Sequence, residues 1–357
     1  LRFGGAEMQT VELVNCLARK HDIHLFCLAP ESKLSERISK EVKVNVLGKK
    51  VFLDPVVLFK LVTKLRKIKP DKLVSVNCYS TMYSYLVKPF IGKGSKTLTI
   101  QHTTEFPVNF TENIKVAVYT RIINRMDRII FVCNNQKKHW VEKYKINPER
   151  SLVIYNGVNL EHFMNYPLDK STSRGKLGIP EGDIVIGVNA VLRPEKKHEH
   201  IIDALEMLAM DGYPVKLLII GDGVRRKHLE DYIRAKNLTD SVIISGFVDD
   251  VRPYLASLDI SALTSVAVET FSIAALESMA MGKPLVLSNI GGASELVENG
   301  ENGFLYEAGN IEQLYKSLKY LIDKKLFSDM GKESQRRVSQ HFTREIMAYR
   351  YDLVLCG

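Results

Sequence analysis

The chain has 357 residues, which is more than one hydrophobic core usually organises and suits two domains of ordinary size. Hydrophobic residues make up 45% of the chain and charged residues 25%, which excludes a disordered protein, a collagen-like repeat and a disulfide scaffold. The net charge of +9 is unevenly distributed, because residues 1–165 carry +13 and the remaining residues carry −4. Such a basic half favours an anionic partner: nucleic acid, an acidic membrane surface or an acidic acceptor molecule.

The sequence contains no apolar run of the roughly 18–20 residues needed to span a bilayer, and its start shows no secretory-signal pattern. The five cysteines are widely spaced and never occur in the C-x-x-C arrangement of zinc or redox sites. These features predict reduced thiols and a cytoplasmic location.

Short apolar strands alternate with longer amphipathic helices in both halves, which is typical of β-α-β units and a parallel sheet. In the first half the pattern predicts strands at 24–28, 43–47, 72–76, 97–101, 128–132 and 152–154. It predicts helices at 6–19, 56–68, 114–126 and 136–144. Asp54-Pro55 supports the second of these helices, since aspartate is a good N-cap and proline suits the first turn.

The second half repeats the alternation, with strands expected at 184–189, 215–220, 242–245, 260–263, 284–287 and 303–306. Helices are expected at 198–210, 225–235, 272–281 and 311–324. A polar stretch at 166–174 predicts the domain boundary. The expected organisation is an N-terminal domain at 1–165, a C-terminal domain at 166–333 and a helical segment at 334–357 that packs back on the first domain.

The sequence begins with Leu1-Arg2-Phe3-Gly4-Gly5, which is typical of the loop that follows the first strand of a parallel sheet. That strand is not in the sequence, although it is normally central and buried. We therefore expect that a strand and its start, about ten residues, are missing upstream. A Gly-Gly loop would let backbone N–H groups approach the phosphates of a donor or an acceptor, and the alternative is an ordinary turn.

Glu269 and Glu277 are two carboxylates separated by seven residues. Glu269 is expected at the mouth of a helix, and Glu277 two turns further along it. The backbone N–H groups of Thr270, Phe271 and Ser272 would face an anion there, helped by the helix dipole. One carboxylate could then hold sugar hydroxyls and the other a ribose. The alternative is an acidic residue that only favours the dipole, followed by a solvated glutamate.

Glu269, Glu277 and the segment 278–284 that follows are similar to the E-x7-E signature of family-4 retaining glycosyltransferases, which have the GT-B fold. Further segments resemble this family in the expected order, at 4–7, 155–158, 221–223, 246–248, 288–292 with Glu295, and 302–304. The resemblance covers nearly the whole chain and indicates the class more strongly than the substrate. It implies an α/β protein of two Rossmann-like domains facing a cleft, with the donor in the C-terminal domain and the acceptor in the N-terminal domain.

The resemblance also implies roles for individual residues of the C-terminal domain. Glu277 would bind the ribose of a sugar nucleotide, and Glu269 would bind the donor sugar. Lys196 would pair with the diphosphate, with Arg193 beside it. The alternative for the last two is an ordinary pair of surface cations.

The sequence departs from the family at two of these positions. The family usually has an arginine five residues before the lysine, where this chain has Val191, so Arg193 would have to reach the diphosphate from two residues further on. Glycine is commoner at the position of Thr270, and the larger residue would tighten the space around the donor sugar.

His102 follows a predicted strand, at the edge of an open α/β sheet where ligands collect. The family places a histidine here against the donor sugar, and the alternative is a structural histidine. Gly5, Gly223 and Phe247 would also lie at the donor. Gly223 completes a G-x-G after a strand, but Arg226 stands where the third glycine of a dinucleotide fingerprint would be, so that fingerprint fails.

The sequence has no D-x-D segment, and this absence argues against the metal-bound diphosphate of the other major transferase fold. It also lacks a P-loop and a nucleophile elbow. No spacing indicates a cluster of histidine, cysteine and acidic ligands. We therefore expect neither a metal nor a cofactor.

Two predicted helices of the N-terminal half carry basic residues at helical spacing: Lys60, Lys64 and Lys67 on one, and Arg121, Arg125 and Arg128 at and beyond the end of the other. The functional interpretation is adhesion to anionic lipid on the inner membrane leaflet, which suits a lipid-linked acceptor. The alternative is a solvated helix face. Nucleic acid is not expected, because the aromatic and basic interleaving of RNA-binding proteins is missing.

The resemblance implies transfer of a hexosyl or N-acetylhexosaminyl group from a nucleoside diphosphate sugar, with a UDP-sugar favoured, to a hydroxyl of a glycan or lipid-linked acceptor with retention of configuration. Two alternatives stay open at this point: a nucleotide-sugar epimerase of similar architecture, and a non-catalytic protein that binds nucleotides or carbohydrates.

Overall fold

The computed structural model describes residues 4–28, 36–92, 94–105 and 110–357. The chain divides into two compact units, the first formed by 1–157 with 344–357 and the second by 158–343. The boundaries therefore fall at 157/158 and 343/344, whereas the sequence placed them at 165/166 and 333/334. The difference has a local cause, since the N–H of Val158 donates to the carbonyl of Phe342 and Val158 forms a parallel bridge with Thr343. This pairing makes residues 158–165 and 334–343, which the sequence had placed outside the second domain, part of the second unit.

The described residues of the first unit form six parallel strands in two sheets. The strands are β1 (His24–Cys27), β2 (Lys43–Val46), β3 (Lys72–Val76), β4 (Lys96–Gln101), β5 (Arg128–Phe131) and β6 (Ser151–Val153). Strands β1 and β2 form one sheet, and the other has the order β3-β4-β5-β6. These strands match the predicted ones to within one residue at each end.

The N-terminal part of the first unit has the helices α1 (Gly5–Leu17), α2 (Pro55–Ile68), α3 (Asn77–Val87), α4 (Phe110–Ile123) and α5 (Asn134–Tyr144) among its described residues. Helix α2 begins where the sequence predicted, because the Asp54 side chain accepts hydrogen bonds from the N–H groups of Val56 and Val57. Its apolar face is buried in a core cluster that also contains Tyr83 and Val87 of α3.

Helix α3 was not predicted from the sequence, because polar residues occupy part of its buried face. Thr81 and Ser84 are buried there. The Thr81 hydroxyl lies 2.6 Å from that of Thr99 on β4 and accepts a hydrogen bond of 3.2 Å from Ser75 on β3. Because the sheet satisfies the Thr81 hydroxyl, the helix packs without the apolar period that would have revealed it.

The second unit is one six-stranded parallel sheet with the order β12-β11-β10-β7-β8-β9. The strands are β7 (Ile184–Asn189), β8 (Val215–Ile220), β9 (Val242–Ile244), β10 (Ile260–Leu263), β11 (Leu285–Ser288) and β12 (Gly303–Tyr306). The helices are α6 (Leu160–Met164), α7 (Lys170–Lys176), α8 (His198–Met210), α9 (Arg226–Ala235), α10 (Arg252–Ser257), α11 (Ile273–Ala280), α12 (Ala293–Leu296), α13 (Ile311–Asp323) and α14 (Phe327–His341). The polar stretch that predicted the boundary contains the first residues of α7.

The strand order of the second unit reverses between β7 and β10. From β7 the chain builds outward through β8 and β9, and it then returns to the other side of β7 with β10, β11 and β12. Open parallel sheets bind ligands in the crevice that such a reversal leaves at the carboxyl ends of the strands. A ligand site is therefore expected among the residues that follow β7 and β10.

The predicted C-terminal helix is two helices, α14 and α15 (Arg344–Cys356), interrupted at residues 342–343. Helix α15 packs against α1 in the first unit. Arg344 lies 3.3 Å from Glu12, and His21, just past the end of α1, lies 2.6 Å from Asp352. The break occurs where Phe342 and Thr343 pair with Val158, because that pairing takes the chain out of helical geometry.

Candidate functional site

Polar side chains gather at the carboxyl ends of β7 and β10. Asn189 is the last residue of β7, and Thr264 directly follows β10. The Thr264 hydroxyl donates to the carbonyls of Lys196 and Lys197 at 2.8 and 3.0 Å. The loop after β10 thus holds the loop after β7 in place, and with it the backbone that carries the Lys196 side chain.

Lys196 and Glu269 form an ion pair at this edge of the sheet. The Lys196 ammonium nitrogen lies 2.6 Å from Oε2 of Glu269, and both side chains are about four-fifths buried. The Ser265 hydroxyl donates to the same oxygen at 3.2 Å. A charge pair this enclosed interacts more strongly than one in open water, so the cation is oriented rather than mobile.

Glu277 lies in the middle of α11 and is buried. Oε2 of Glu277 accepts a hydrogen bond of 3.0 Å from the side-chain amide of Asn189. Helix α11 begins after Ser272, whose hydroxyl accepts from the N–H of Ala275. Each glutamate of the E-x7-E spacing therefore contacts a residue at or after the end of β7: Glu269 contacts Lys196, and Glu277 contacts Asn189.

The backbone of Glu269 is packed tightly against the loop after β11. Gly291 has a φ of +56°, and a Cβ placed on it would lie 2.0 Å from the carbonyl oxygen of Glu269. The N–H of Gly292 donates to the carbonyl of Thr270 at 2.6 Å. Only glycine leaves room for this approach.

Replacing Gly291 by alanine is expected to displace the backbone at Glu269 and to weaken both folding and any ligand binding at Lys196 and Glu269. Gly309→Ala is the matched control, because Gly309 also has positive φ, +89°, but no atom lies within 4 Å of the place where its Cβ would be. The control should cost about 1–2 kcal/mol of unfolding free energy, the usual cost of a left-handed residue. Urea unfolding of both variants measures the difference, and equal losses would contradict the packing argument.

The remaining predicted residues of the second unit lie around this edge with different surroundings. Gly223 packs against the backbone after β7, since a Cβ on it would lie 2.6 Å from the carbonyl oxygen of Leu192. Phe247 is half-exposed in the turn after β9. Arg193 is 60% exposed, and its guanidinium lies 4.0 Å from Glu195 in the same short turn. Arg193 thus accompanies Lys196 along the chain, while it is Lys196 that pairs with Glu269.

Thr270, Phe271 and Ser272 are all buried where α11 begins. The Phe271 ring packs edge-on against Phe342, with ring centroids 5.4 Å apart. The side chain of Phe271 is therefore part of the core of this unit, and any contribution to ligand binding would come from its backbone.

His102 and Gly5 lie in the first unit. The N–H of His102, just past β4, donates to the side-chain oxygen of Asn77 at 2.9 Å. Asn77 has a positive φ of 64° at the start of α3, a conformation that asparagine tolerates better than most residues. Burial lowers the pKa of His102 to about 4, so its imidazole is neutral at pH 7. Gly5 is the first residue of α1.

Sequence reasoning missed Asn189, Thr264 and Ser265, which orient the predicted residues. Their signal was their position immediately at or after the ends of β7 and β10. It also missed the environment of His198, whose Nε2 is buried without a hydrogen-bond partner among the described residues. Burial lowers the pKa of His198 to about 4, so its imidazole is uncharged at pH 7. His198 lies two residues after Lys196 in the chain.

One group of potential metal ligands occurs among the described residues, in contrast to the absence expected from spacing. The ligand atoms of His21, Asp352 and Cys356 lie within 4.8 Å of one another, beside α1 and α15. The ammonium group of Lys20 also lies 3.0 Å from Asp352, and a cation already neutralises part of this carboxylate. The three residues are too distant in sequence for spacing to have indicated them.

Among the described residues, no helix combines the length and the apolar character that crossing a bilayer would need.

Comparison with known proteins gives matches over both units. A family model described as glycosyl transferases group 1 matches residues 169–340, and a model described as glycosyltransferase family 4 matches residues 3–162. N-acetyl-alpha-D-glucosaminyl L-malate synthase from Bacillus anthracis is 25% identical, over 98% of this chain and 93% of its own. An N-acetylgalactosamine-N,N'-diacetylbacillosaminyl-diphospho-undecaprenol 4-alpha-N-acetylgalactosaminyltransferase from Campylobacter jejuni is 27% identical, over 90% of this chain and 87% of its own.

Solved structures give the same fold. HepE from Anabaena, in complex with UDP, superposes with a TM-score of 0.88 at 23% identity, over 99% of this chain and 97% of its own. A second structure of HepE contains UDP-glucose and has a TM-score of 0.87 at 24% identity, over 99% and 96% of the two chains.

These matches and the two parallel-sheet units define a protein of the GT-B fold. The matches are to glycosyltransferases throughout: the second unit is similar to the group 1 model and the first unit to the family 4 model, and the resemblance to family 4 is the one that the sequence predicted.

Proposed function

We propose that this glycosyltransferase moves a hexosyl or N-acetylhexosaminyl group from a UDP-sugar to a hydroxyl of a glycan or lipid-linked acceptor, with retention of configuration and without a metal. The observation that carries the donor assignment is the contact of 2.6 Å between Lys196 and Glu269, at the edge of the sheet where the strand order reverses between β7 and β10. It joins a cation suited to a diphosphate and a carboxylate suited to sugar hydroxyls in one site. The complexes of HepE with UDP and UDP-glucose support a uridine nucleotide.

The chemical demand on such a site is to stabilise the negative charge that develops on the leaving diphosphate. Lys196 meets this demand because Glu269, itself bonded by Ser265, already fixes its position, so little reorganisation is needed as the bond breaks. The start of α11, at Thr270 to Ser272, adds its dipole. Arg193, largely exposed, is proposed as a second, weaker contact to the diphosphate.

Glu277 is proposed to hold the ribose through the carboxylate oxygens, with Asn189 fixing its rotamer. Gly5, Gly223 and Phe247 are proposed to flank the donor. His102 is proposed to contact the donor sugar as a neutral imidazole. We propose same-face attack by the acceptor hydroxyl, with the leaving phosphate taking the proton.

The acceptor is proposed to be lipid-linked or a glycan. The names of the two relatives contain different acceptors, L-malate in one and a diphospho-undecaprenol-linked sugar in the other. The basic character of the first unit favours the second kind, since Lys60, Lys64 and Lys67 are exposed along α2. Peripheral association with the anionic inner leaflet would bring such an acceptor within reach.

Glu277→Gln is expected to lower the affinity for UDP by about 10- to 100-fold, the range for losing a hydrogen bond to a charged group. Glu312→Gln on α13 is the control, because Glu312 is exposed and pairs with Lys316 one turn away. Titration calorimetry with UDP, GDP and ADP measures the affinities and the choice of base. Equal UDP affinity in both variants would remove the ribose assignment.

Chelation by EDTA is expected to leave transfer largely intact, because the proposed site neutralises the diphosphate with Lys196 and the start of α11. The assay measures UDP release from a UDP-sugar with and without acceptor, before and after chelation. Loss of activity that Mg²⁺ or Mn²⁺ restores would contradict the metal-free mechanism. UDP release that requires acceptor distinguishes transfer from epimerisation, and donor hydrolysis distinguishes an enzyme from a binding protein.

A further inference from the structure

Five apolar side chains are exposed to solvent at the start of α2. They belong to the loop before the helix and to its first two turns, and we call them the apolar ridge: Val51, Phe52, Leu53, Val56 and Phe59. Phe59 is 73% exposed, and Phe52 is 53% exposed. Single exposed apolar residues are ordinary, but a contiguous set of this size marks an interaction surface.

The backbone beneath the ridge is held in place. The carbonyl of Phe52 accepts hydrogen bonds from the hydroxyls of Tyr79 and Tyr83, the latter at 3.2 Å. The N–H of Asp54 in turn donates to the Tyr83 hydroxyl at 2.9 Å. The Asp54 carboxylate accepts from the N–H of Lys50, and this bond above all holds the pKa of Asp54 below its usual range. The exposure of the ridge is thus a property of the fold and not of a loose loop.

The ridge also has no room to turn inward. The opposite face of α2 is already filled, because Val57, Leu61 and Leu65 are buried in the core of this unit with Tyr83. Val56 and Phe59 lie three residues apart on the outer face of the same helix. Burying them therefore requires something other than the described residues of this unit.

Basic residues flank the ridge on both sides in the sequence. Between residues 43 and 69 the only acidic residue is Asp54, whose carboxylate is turned inward as the helix cap. The same stretch has eight basic residues: Lys43, Lys49, Lys50, Lys60, Lys64, Arg66, Lys67 and Lys69. Lys43 is paired with Asp22, which leaves seven basic residues to complement an anionic surface, while the ridge complements an apolar one.

One of these cations lies directly beside the ridge. The ammonium group of Lys49 lies 3.6 Å from the centroid of the Tyr79 ring. The same ring meets the Phe52 ring edge-on, with centroids 5.0 Å apart. The Tyr79 ring therefore contacts both the Lys49 cation and the apolar Phe52 side chain of the ridge.

We propose that the apolar ridge inserts into the interfacial region of an anionic bilayer while the surrounding lysines contact the lipid phosphates. This inference rests on the lipid-linked acceptor of the proposed function and adds a hydrophobic contact to the electrostatic one. In a bilayer the acyl chains lie directly beneath the anionic headgroups. The ridge would therefore contact the acyl chains while the lysines contact the headgroups. A soluble acidic acceptor would match the lysines but would leave the ridge in water.

The first experiment follows insertion with a fluorescent reporter. Phe59→Trp places an indole on the ridge, and Met210→Trp is the control, because Met210 is 80% exposed in the second unit. The native Trp140 is fully buried and contributes a constant background. With vesicles of phosphatidylglycerol and phosphatidylcholine, the emission of the Phe59→Trp protein should shift to the blue and be quenched by brominated acyl chains. The control should do neither.

The second experiment separates insertion from charge. The double variant Phe52→Ser, Phe59→Ser should bind these vesicles about tenfold more weakly or worse in cosedimentation, including at salt concentrations that screen the lysines. The triple variant Lys60→Gln, Lys64→Gln, Lys67→Gln should lose mainly the salt-sensitive part of the binding. Met210→Ser should bind like the unaltered protein.

Equal vesicle binding by the serine double variant and the unaltered protein would overturn the proposal, and so would the absence of binding to anionic vesicles at low salt. Light scattering after gel filtration tests a second copy of the chain as the occupant. A dimer that the double variant abolishes would also overturn the proposal. Vesicle binding is measured without donor, and donor hydrolysis is measured without vesicles, so failure of one result does not stand for failure of the other.

Discussion

Lys196→Ala is expected to lower kcat by about 10²- to 10³-fold, which corresponds to about 2.7–4 kcal/mol of lost stabilisation of the leaving group. The ammonium of Lys196 is largely enclosed and held 2.6 Å from Glu269, so its charge acts at a fixed place and with little screening by water. Steady-state release of UDP in the presence of acceptor measures the effect.

Lys316→Ala is the control for this substitution, because Lys316 is 68% exposed and pairs with Glu312 on α13. Its kcat should match that of the unaltered enzyme. Since removing Lys196 leaves the Glu269 carboxylate without its cation, the thermal midpoint of each variant is measured beside its kinetics. A folded Lys196→Ala protein with unchanged kcat would show that another group stabilises the diphosphate.

Asp259→Ala is expected to lower the free energy of unfolding of the second unit by about 3–5 kcal/mol, the usual cost of breaking a buried ion pair. Asp259 and Arg174 are both almost completely buried, and their charged groups lie 2.5 Å apart. The same carboxylate accepts from the N–H of Val185, and Lys170 pairs with its other oxygen. Alanine would leave the Arg174 guanidinium buried without its counter-ion.

Asp231→Ala is the matched control for Asp259→Ala, since Asp231 forms an exposed pair with Arg234 on α9. Exposed pairs contribute about 0–1 kcal/mol, so this variant should unfold nearly like the unaltered protein. Urea denaturation followed by circular dichroism compares the two. Similar losses would mean that the Arg174–Asp259 pair stabilises no more than a surface pair does.

The alternation of strands and helices was predictable because each element carries its own hydrophobic period. The prediction failed for α3, where the buried residues Thr81 and Ser84 replace the apolar residues that the period requires. It also failed at the break between α14 and α15, because the cause is the pairing of Phe342 with Val158, a residue far away in sequence.

The site was only partly predictable for the same reason. The spacing of Glu269 and Glu277 could be read along one helix, but the partners of these carboxylates, Lys196 and Asn189, lie 73 and 88 residues away. Their meeting depends on β10 lying next to β7, which is a property of the sheet order and not of any local pattern. Family resemblance supplied Lys196, while Asn189 could be found only from the structure.

The first unit is made from two separate parts of the chain, residues 1–157 and 344–357. Helix α15 can therefore join residues 1–157 only after the whole second unit has been translated. During synthesis, every residue of the second unit therefore leaves the ribosome before the partners of Glu12 and His21 exist. The second unit is therefore completely synthesised before the first unit, although synthesis of the first unit begins earlier. Until residues 344–357 have been synthesised, the surface of α1 that α15 covers stays exposed, and deleting these residues would leave it exposed in the finished protein.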